Sequence, residues 1–279
     1  MDMTMKMSNF TLAVAAMMAA GGACAQSYTL KVGGAYIDPR ATSSDLSGLL
    51  PTHNPSVPLS PAPSGLQLEV MPKAALVFSI ARSLDEHWEA EVLLGIPPKH
   101  DVKLRVNNPS LKAAAAVYAT YPTYNAAVYG SGAAGLQAYA SAQGAAHINA
   151  YDGKVVSTLT QFAPTAFLNY RFGSAKATFR PYLGVGVNYT KVKPNVNATG
   201  TEFYSDGKVK ATVSDSFGLA FQMGASYQIT PQWLLNAAWA TAAVRNDIVI
   251  RTEGTPGSEQ RGFYRFHPSI FMLTAGYKF

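Results

Sequence analysis

Apolar and polar residues alternate one by one along much of this chain, and no other feature restricts its fold as strongly. Residues 271–279 (FMLTAGYKF) place apolar or aromatic side chains at the odd positions, and residues 217–229 repeat the pattern over a longer stretch. A period of two residues is typical of β-strands that have one apolar face. The sequence therefore predicts an all-β fold.

A low content of charged residues accompanies this pattern. Only 14% of the 279 residues are Asp, Glu, Lys or Arg, compared with about 25% in an average soluble domain. A helical membrane protein needs about 18 or more consecutive apolar residues, and the longest predominantly apolar stretch, residues 10–20, is shorter. A transmembrane β-barrel needs no such run, because its strands alternate between lipid-facing and lumen-facing side chains.

The net charge of +6 does not indicate nucleic-acid binding. Proteins that bind nucleic acids cluster Lys and Arg on one face or in a run, whereas the 22 basic residues of this chain are scattered among aromatic residues and glycines. We therefore expect no nucleic-acid partner.

Residues 1–25 have the organisation of a secretory signal peptide. A basic residue precedes the apolar segment 10–20, and the small-x-small site ACA follows at residues 23–25. We expect cleavage there, which leaves residues 26–279 as the mature barrel. Cys24 is the only cysteine, so the mature chain is predicted to contain no disulfide and no cysteine metal site.

The alternation predicts an eight-stranded antiparallel transmembrane β-barrel. Its connections alternate between short and long, as in bacterial outer-membrane barrels with short periplasmic turns and long extracellular loops. Pro72 and Pro164 fall within two strands, and each predicts a bulge because proline lacks the N–H group that a ladder needs. The predicted strands are residues 27–38, 66–81, 87–97, 155–172, 178–193, 212–229, 232–251 and 263–279.

The longest predicted loop, residues 98–154, has an unusual composition. It is rich in alanine and tyrosine, and it has almost no charge between Lys112 and Asp152. Loops of this length without structure are uncommon unless they are functional or disordered. Two interpretations remain open: a mobile surface loop, or an Ala/Tyr-rich cap over the barrel mouth that is partly helical or hairpin. An added β-hairpin would give ten strands.

The inward faces of the strands suggest a charged base and an apolar lumen. Charges of both signs occur near the short turns, and we expect them to pair because an unpaired buried charge costs several kcal/mol. A proton or ion path is the alternative. The predicted periplasmic plug consists of Lys31, Glu89, Glu91, Arg171, Arg180 and Lys278. The predicted hydrophobic lumen lining consists of Ile37, Met71, Leu93, Phe167, Ala238, Ala240, Ile270 and Met272.

A lumen of this kind is incompatible with a general hydrophilic pore. It could accept a hydrophobic solute from outside and release it sideways between strands, because burying each CH₂ group contributes about 0.8 kcal/mol. Pro72, Pro97 and Pro164 interrupt strand pairing and could open the lateral gap. The alternative is that the inward residues pack a solid core.

Catalytic, cofactor and metal sites are not predicted. None of the five histidines lies four residues from another, which is the spacing of a helical metal site. The chain also lacks a G-x-S-x-G nucleophile elbow and a phosphate-binding loop.

Several segments resemble the OmpW family of small outer-membrane porins. The most specific is FRPYLGVGVNYT at residues 179–190, and residues 30–39, 88–97, 215–218 and 271–279 are also similar. The resemblance covers most of the mature chain except the long loop.

The resemblance implies a monomeric eight-stranded barrel that passes small hydrophobic molecules across the bacterial outer membrane, in contact with membrane lipids and lipopolysaccharide. The C-terminal strand, which ends in Phe279, is then expected to be recognised by the outer-membrane assembly machinery. Some family members serve as receptors for bacteriocins or phage. A structural or receptor barrel, with a solid core and surface loops that bind phage, bacteriocin or host surfaces, is therefore the alternative function.

Overall fold

A computed structural model describes residues 27–52, 59–204 and 208–279. The predicted signal peptide, residues 1–25, lies outside the described residues. The strands are β1 (Tyr28–Asp38), β2 (Ala41–Thr42), β3 (Ser47–Pro51), β4 (Leu59–Pro61), β5 (Leu66–Val70), β6 (Lys73–Ser83), β7 (Trp88–Gly95), β8 (Lys99–Val106), β9 (Val155–Phe162), β10 (Thr165–Arg171), β11 (Phe179–Val196), β12 (Lys208–Val213), β13 (Ser216–Gln228), β14 (Trp233–Ala242), β15 (Val244–Glu253), β16 (Glu259–Phe266) and β17 (Ser269–Lys278). The helices are α1 (Pro109–Thr120), α2 (Ala126–Tyr129), α3 (Gly132–Asn149) and α4 (Ala198–Phe203).

Eight of these strands close into a barrel. β1, β6, β7, β10, β11, β13, β14 and β17 each pair antiparallel with the next, and β17 pairs back onto β1. Short turns join β6 to β7 and β13 to β14 on the periplasmic side. The predicted eight-stranded antiparallel barrel is confirmed.

Side chains alternate between the two faces of this barrel. Leu219 and Leu273 lie on its outer surface, where they are 77% and 64% exposed, whereas their sequence neighbours Ala220 and Thr274 are buried inside. Exposed apolar side chains on a closed sheet are those that contact lipid. The period-two pattern of the sequence therefore arises from lipid on one face and a filled interior on the other.

β11 connects the barrel to a second body of strands on the extracellular side. Its first part, up to Thr190, pairs with β13, and its last part, from Lys191, pairs with β9. The sheet then continues through β8, β5 and β2, while β12, β15, β16, β3 and β4 form a separate sheet. Apolar side chains of both sheets, including Leu104 and Ile248, form one buried cluster with Phe203 of α4. We call β2–β5, β8, β9, β12, β15, β16, the end of β11 and the helices the extracellular extension.

Five of the predicted strands are each divided between the barrel and this extension. Residues 66–81 form β5 and β6 with Pro72 between them, and residues 155–172 form β9 and β10 with Pro164 between them. The predicted bulges at these prolines are wrong. Because proline cannot donate to a ladder, each instead marks the point where the chain leaves one sheet and joins the other. Residues 232–251 also divide, at Ala243, residues 212–229 divide between β12 and β13, and residues 263–279 divide between β16 and β17.

Residues 98–154 form a strand followed by a helical hairpin. β8 pairs with β5 and β9 in the extension, so it adds no strand to the barrel. Asn108 caps α1 by accepting a hydrogen bond from the Leu111 N–H group, and alanine favours helix in the segments that follow. α1 and α3 pack against each other. None of the described helices is long and apolar enough to cross a membrane.

The tip of the hairpin is held by tyrosines. The rings of Tyr118, Tyr124 and Tyr129 surround Tyr139 with centroid distances of 5.2–6.0 Å. The Tyr139 hydroxyl donates to the Pro122 carbonyl at 2.8 Å, and those of Tyr124 and Tyr129 also donate to backbone carbonyls. The tyrosine-rich composition of this segment therefore stabilises the turn between the helices.

Replacing residues 109–149 by a short Gly-Ser linker tests whether the hairpin is separate from the barrel. The hairpin contributes Leu111, Ala115 and Ala145 to the buried cluster of the extension. We expect the barrel to form and the free energy of unfolding to fall by about 2–5 kcal/mol, the cost of losing one large buried side chain. Urea unfolding in vesicles, followed by tryptophan fluorescence, measures this change. Loss of the folded barrel would show that the hairpin is not separate from the barrel.

Candidate functional site

Buried charged residues cluster in the periplasmic half of the barrel. Lys31, which is 1% exposed, points inward from β1. Its Nζ atom lies 2.9 Å from Glu91 Oε1 and 3.5 Å from Glu89 Oε1 on β7. Arg171 Nη1 on β10 lies 2.6 Å from Glu89 Oε2. Two acidic and two basic groups therefore balance inside the barrel.

Neutral polar side chains complete the hydrogen bonding of these charges. Asn169 Nδ2 donates to Glu91 Oε2 at 2.9 Å, and Gln222 Nε2 donates to the same oxygen at 3.1 Å. Ser79 Oγ donates to Glu91 Oε1 at 2.5 Å. A Cβ atom at Gly184 would collide with Asn169 and Gln222, so this glycine provides the space for them. The contributing strands surround the bore, and we call this set of residues the base network.

The sequence analysis identified the charged members of the base network but not its neutral members. Asn169 and Gln222 are buried at inward positions of β10 and β13. An uncharged polar residue at an inward position of a predicted strand is the signal that would have found them, because a buried polar group needs a partner.

Two predicted plug residues lie outside the base network. Arg180 is close to the start of β11, and its guanidinium donates to the backbone carbonyls of Glu86, Phe172 and Gly173 in the periplasmic turns. Lys278 is the last residue of β17 and is exposed. Both residues occupy positions with inward parity, but they lie too close to the periplasmic ends of their strands to form ion pairs with Glu89 and Glu91.

Above the base network the lumen is mainly apolar, although Thr165, Asn188 and Thr190 also line it. Phe167, Ala240 and Met272 are buried in one cluster with Ala35, Val77 and Ala220, and Ile37, Leu93, Ala238 and Ile270 pack against it. A cavity of about 80 Å³ lies among these side chains. Seven of the eight predicted lining residues are therefore close together.

Met71 is the exception. It lies between β5 and β6, where its N–H group donates to the Asp101 carbonyl at 2.9 Å. The break at Pro72 moves it out of the barrel sheet and into the extension, so the alternation of β6 does not continue through it.

Two further cavities lie above the lumen cavity. One of about 40 Å³, which we call the upper cavity, is inside the extension. One of about 20 Å³, which we call the collar cavity, shares lining residues with the lumen cavity and the upper cavity. Gln161 lines the lumen and collar cavities, and Leu159, Val213 and Tyr264 line the collar and upper cavities. A water molecule needs about 10–15 Å³ of such volume. The bore is therefore a series of small spaces along a mainly apolar route.

The barrel wall is interrupted beside the lumen cavity. The β6–β7 ladder ends at the Val77–Gly95 pair, and the β7–β10 ladder ends at the Leu93–Thr165 pair. Pro97, Pro98 and Pro164 follow these ends, and they have no N–H groups with which to extend the ladders. Ile96 lines the lumen cavity and is also 57% exposed. At this point the cavity borders the lipid-facing surface.

Comparisons with known proteins agree with this architecture. The OmpW family model matches residues 156–279. The chain is similar to "Outer membrane protein W" of Vibrio cholerae, with 35% identity over 117 residues, which are 42% of this chain and 51% of the relative. It is similarly related to the protein of the same name from Escherichia coli (strain K12), with 35% identity over 127 residues, 44% of this chain and 56% of the relative. The matched region spans about half the length of these curated relatives.

Solved structures support the fold over nearly the whole chain. The crystal structure of the outer membrane protein OprG from Pseudomonas aeruginosa has a TM-score of 0.64 and 19% identity, covering 91% of this chain and 96% of that chain. The solid-state NMR structure of the outer membrane protein AlkL has a TM-score of 0.52 and 16% identity, covering 93% of each chain. At these identities the likeness concerns the fold alone. Together, the comparisons confirm the resemblance and the location in the bacterial outer membrane.

Replacing Lys31 by Met tests the energetics of the base network. The substitution leaves buried carboxylates without their main cation, so we expect the free energy of unfolding to fall by about 3–5 kcal/mol. Adding Glu91→Gln should restore part of this loss by removing the uncompensated charge. Urea unfolding in vesicles measures both effects. Lys278→Met removes an exposed cation and is the matched control, with an expected change in the free energy of unfolding within about 0.5 kcal/mol. Equal losses from the two lysine substitutions would contradict the role of Lys31 in the base network.

Proposed function

We propose that this bacterial outer-membrane barrel, whose residues 156–279 match the OmpW family model, takes up small hydrophobic molecules from outside and releases them sideways into the membrane. The observation that carries the proposal is the lumen cavity, which has a mainly apolar lining, borders the lipid-facing surface at Ile96 and lies above a base of paired charges.

The base network supports lateral release over passage through the barrel. A solute that crossed to the periplasm would have to separate Lys31 from Glu91 and Arg171 from Glu89, which contact each other at 2.9 and 2.6 Å. Breaking one such buried pair costs about 3–5 kcal/mol. An apolar solute could not replace these contacts, because it carries neither charge nor hydrogen-bonding groups.

The stacked cavities support access from the extracellular side. Apolar side chains dominate the linings of all three, and each CH₂ group that leaves water for such a lining contributes about 0.8 kcal/mol. The spaces are small, so a solute longer than a few atoms must displace side chains as it moves. Passage is then limited by the opening of the route rather than by affinity for a polar site.

The ends of the ladders at β7 support the lateral exit. Beyond the Val77–Gly95 pair, Ala75 lines the cavity from β6 and Ile96 lines it from the residue after β7. One backbone hydrogen bond, from the Ile96 N–H group to the Leu76 carbonyl at 2.9 Å, still joins the two segments. Few backbone hydrogen bonds therefore need to break for them to separate.

The barrel wall lies in the lipid of the outer membrane, and we extend the proposal to its other partners. Phe279 is 71% exposed beyond the end of β17, where assembly machinery could contact it, and a closed barrel leaves no edge that requires a second copy. Lipopolysaccharide is the proposed neighbour of the extension.

The small cavity volumes favour a second candidate function. If a lumen cavity of about 80 Å³ never widens, the barrel is a solid support for its surface, and the exposed helical hairpin would then bind a phage, a bacteriocin or a host surface. Measurements of uptake distinguish the two functions.

Filling the lateral exit tests the proposed function. Ala75→Phe places a ring in the cavity beside Ile96, and we expect it to reduce the uptake of a small hydrocarbon at least tenfold. Ala74→Phe is the matched control, because Ala74 is exposed on the outer face of the same strand. Initial uptake rates in vesicles with lipopolysaccharide in the outer leaflet provide the measurement.

Two results would count against the proposal. Equal uptake by vesicles with and without the unmodified protein would favour the support function. Unchanged uptake by a folded Ala75→Phe variant would exclude this exit.

A further inference from the structure

Two arginines face each other on the outer surface where the barrel joins the extension. Arg245, near the start of β15, and Arg265, near the end of β16, are directly opposite in the antiparallel ladder, and both are exposed. Side chains at directly opposite positions have Cβ atoms about 4.5–5.5 Å apart, and like charges at this spacing destabilise a sheet. The stability of the sheet alone therefore does not explain the pair.

No carboxylate of the chain neutralises these two cations. Asp247 lies two residues from Arg245 on the same face of β15, but no ion pair joins it or any other acidic residue to either arginine in the described part of the chain. The Arg245 guanidinium instead lies over the ring of Phe263, with 5.7 Å between its central carbon and the ring centroid. The charges of both arginines are thus available to an anion from outside the chain.

Other arginines of the same sheet differ in this respect. Arg251 and Arg261 lie farther from the barrel on β15 and β16, and both form ion pairs with Glu259. The upper part of this surface therefore supplies its own counter-charge. The unpaired cations are confined to the end of the sheet next to the barrel.

This end of the sheet lies at the extracellular edge of the lipid-facing surface. The Arg245 N–H group donates to Ser216 Oγ at 3.0 Å, and the next residue of β13, Phe217, is exposed on the outer face of the barrel. On the inner face, Val244 and Phe266 belong to or pack against the apolar cluster of the lumen. Exposed aromatic side chains are typical of membrane–water interfaces. This position places the two guanidinium groups level with the lipid headgroups of the outer leaflet.

We propose that Arg245 and Arg265 form a phosphate-binding site for the lipid A part of lipopolysaccharide. A planar guanidinium can form two parallel hydrogen bonds with phosphate oxygens, and lipid A presents phosphate groups on its sugar headgroup at this level of the membrane. A phosphate between the two side chains also removes the repulsion that the ladder imposes on them. The inference rests on the part of the proposed function that makes lipopolysaccharide the neighbour of the extension, and it does not depend on uptake.

A binding measurement with purified lipid A tests the site. A cation near an anionic lipid surface strengthens binding about fivefold, so we expect Arg245→Gln combined with Arg265→Gln to weaken lipid A binding about 25-fold. Arg251→Gln with Arg261→Gln is the matched control, because it removes the same charge from the paired end of the same sheet, and it should change binding less than twofold. Native mass spectrometry of protein purified in an uncharged detergent gives the ratio of lipid-bound to free protein.

The unmodified protein provides a second measurement that needs no variant. Lipid A from which the phosphate groups have been removed should bind about 25-fold more weakly than lipid A. The Arg245→Gln, Arg265→Gln protein should bind the two lipids equally, because it has lost the groups that recognise phosphate. Phosphatidylglycerol, which carries one phosphodiester, should bind the unmodified protein more weakly than lipid A does.

Three results would overturn the proposal. Equal losses from the two double variants would show that the protein attracts lipid A through its overall charge. Equal binding of lipid A and its dephosphorylated form would show that the contact is made by acyl chains or sugars. Equal binding of phosphatidylglycerol would show that the arginines accept any lipid phosphate. None of these results bears on the uptake rates of the Ala75→Phe variant, so the proposed uptake stands or falls separately.

Discussion

The structure depends on the closure of β17 onto β1. Hydrocarbon offers no hydrogen-bond partner, so each backbone N–H and C=O group of a spanning segment must be satisfied within the protein, and a closed sheet satisfies all of them. Closure with eight strands also makes the bore so narrow that inward side chains nearly fill it. Each inward residue must therefore pack or pair, and the apolar lumen and the base network are the two ways in which this chain does so.

The same requirement explains where the barrel ends. Outside the hydrocarbon, water can satisfy backbone groups, so a strand can leave its ladder at little cost. Pro72 and Pro164 lie at two such points, and each separates a barrel strand from a strand of the extension. The collar cavity lies in this transition, and the interruption of the wall lies where the transition meets the lipid-facing surface at Ile96.

Alternation alone was sufficient to predict the eight barrel strands, since period two follows directly from lipid on one face of a closed sheet. It also placed Lys31, Glu89, Glu91 and Arg171 together, because residues of the same parity on neighbouring strands share the interior. Parity does not give height along the barrel axis, however, and for this reason Arg180 and Lys278 were assigned to a network that they do not reach. Met71 was misplaced for a related reason, because parity has no meaning across the break at Pro72.

The extension could not be predicted in this way because its fold depends on contacts between segments that are distant in the sequence. β8 pairs with β5 and β9, and the alanine-rich helices contribute Leu111, Ala115 and Ala145 to the buried cluster of the extension. Composition indicates neither the strand partners of β8 nor the packing partners of the helices. Polarity along the barrel axis nevertheless follows an order: paired charges lie at the base, and mainly apolar side chains line the lumen above them. The proposed lateral release follows from this order, because the paired charges offer an apolar solute no contacts at the base, whereas the wall beside β7 is interrupted next to the lumen cavity.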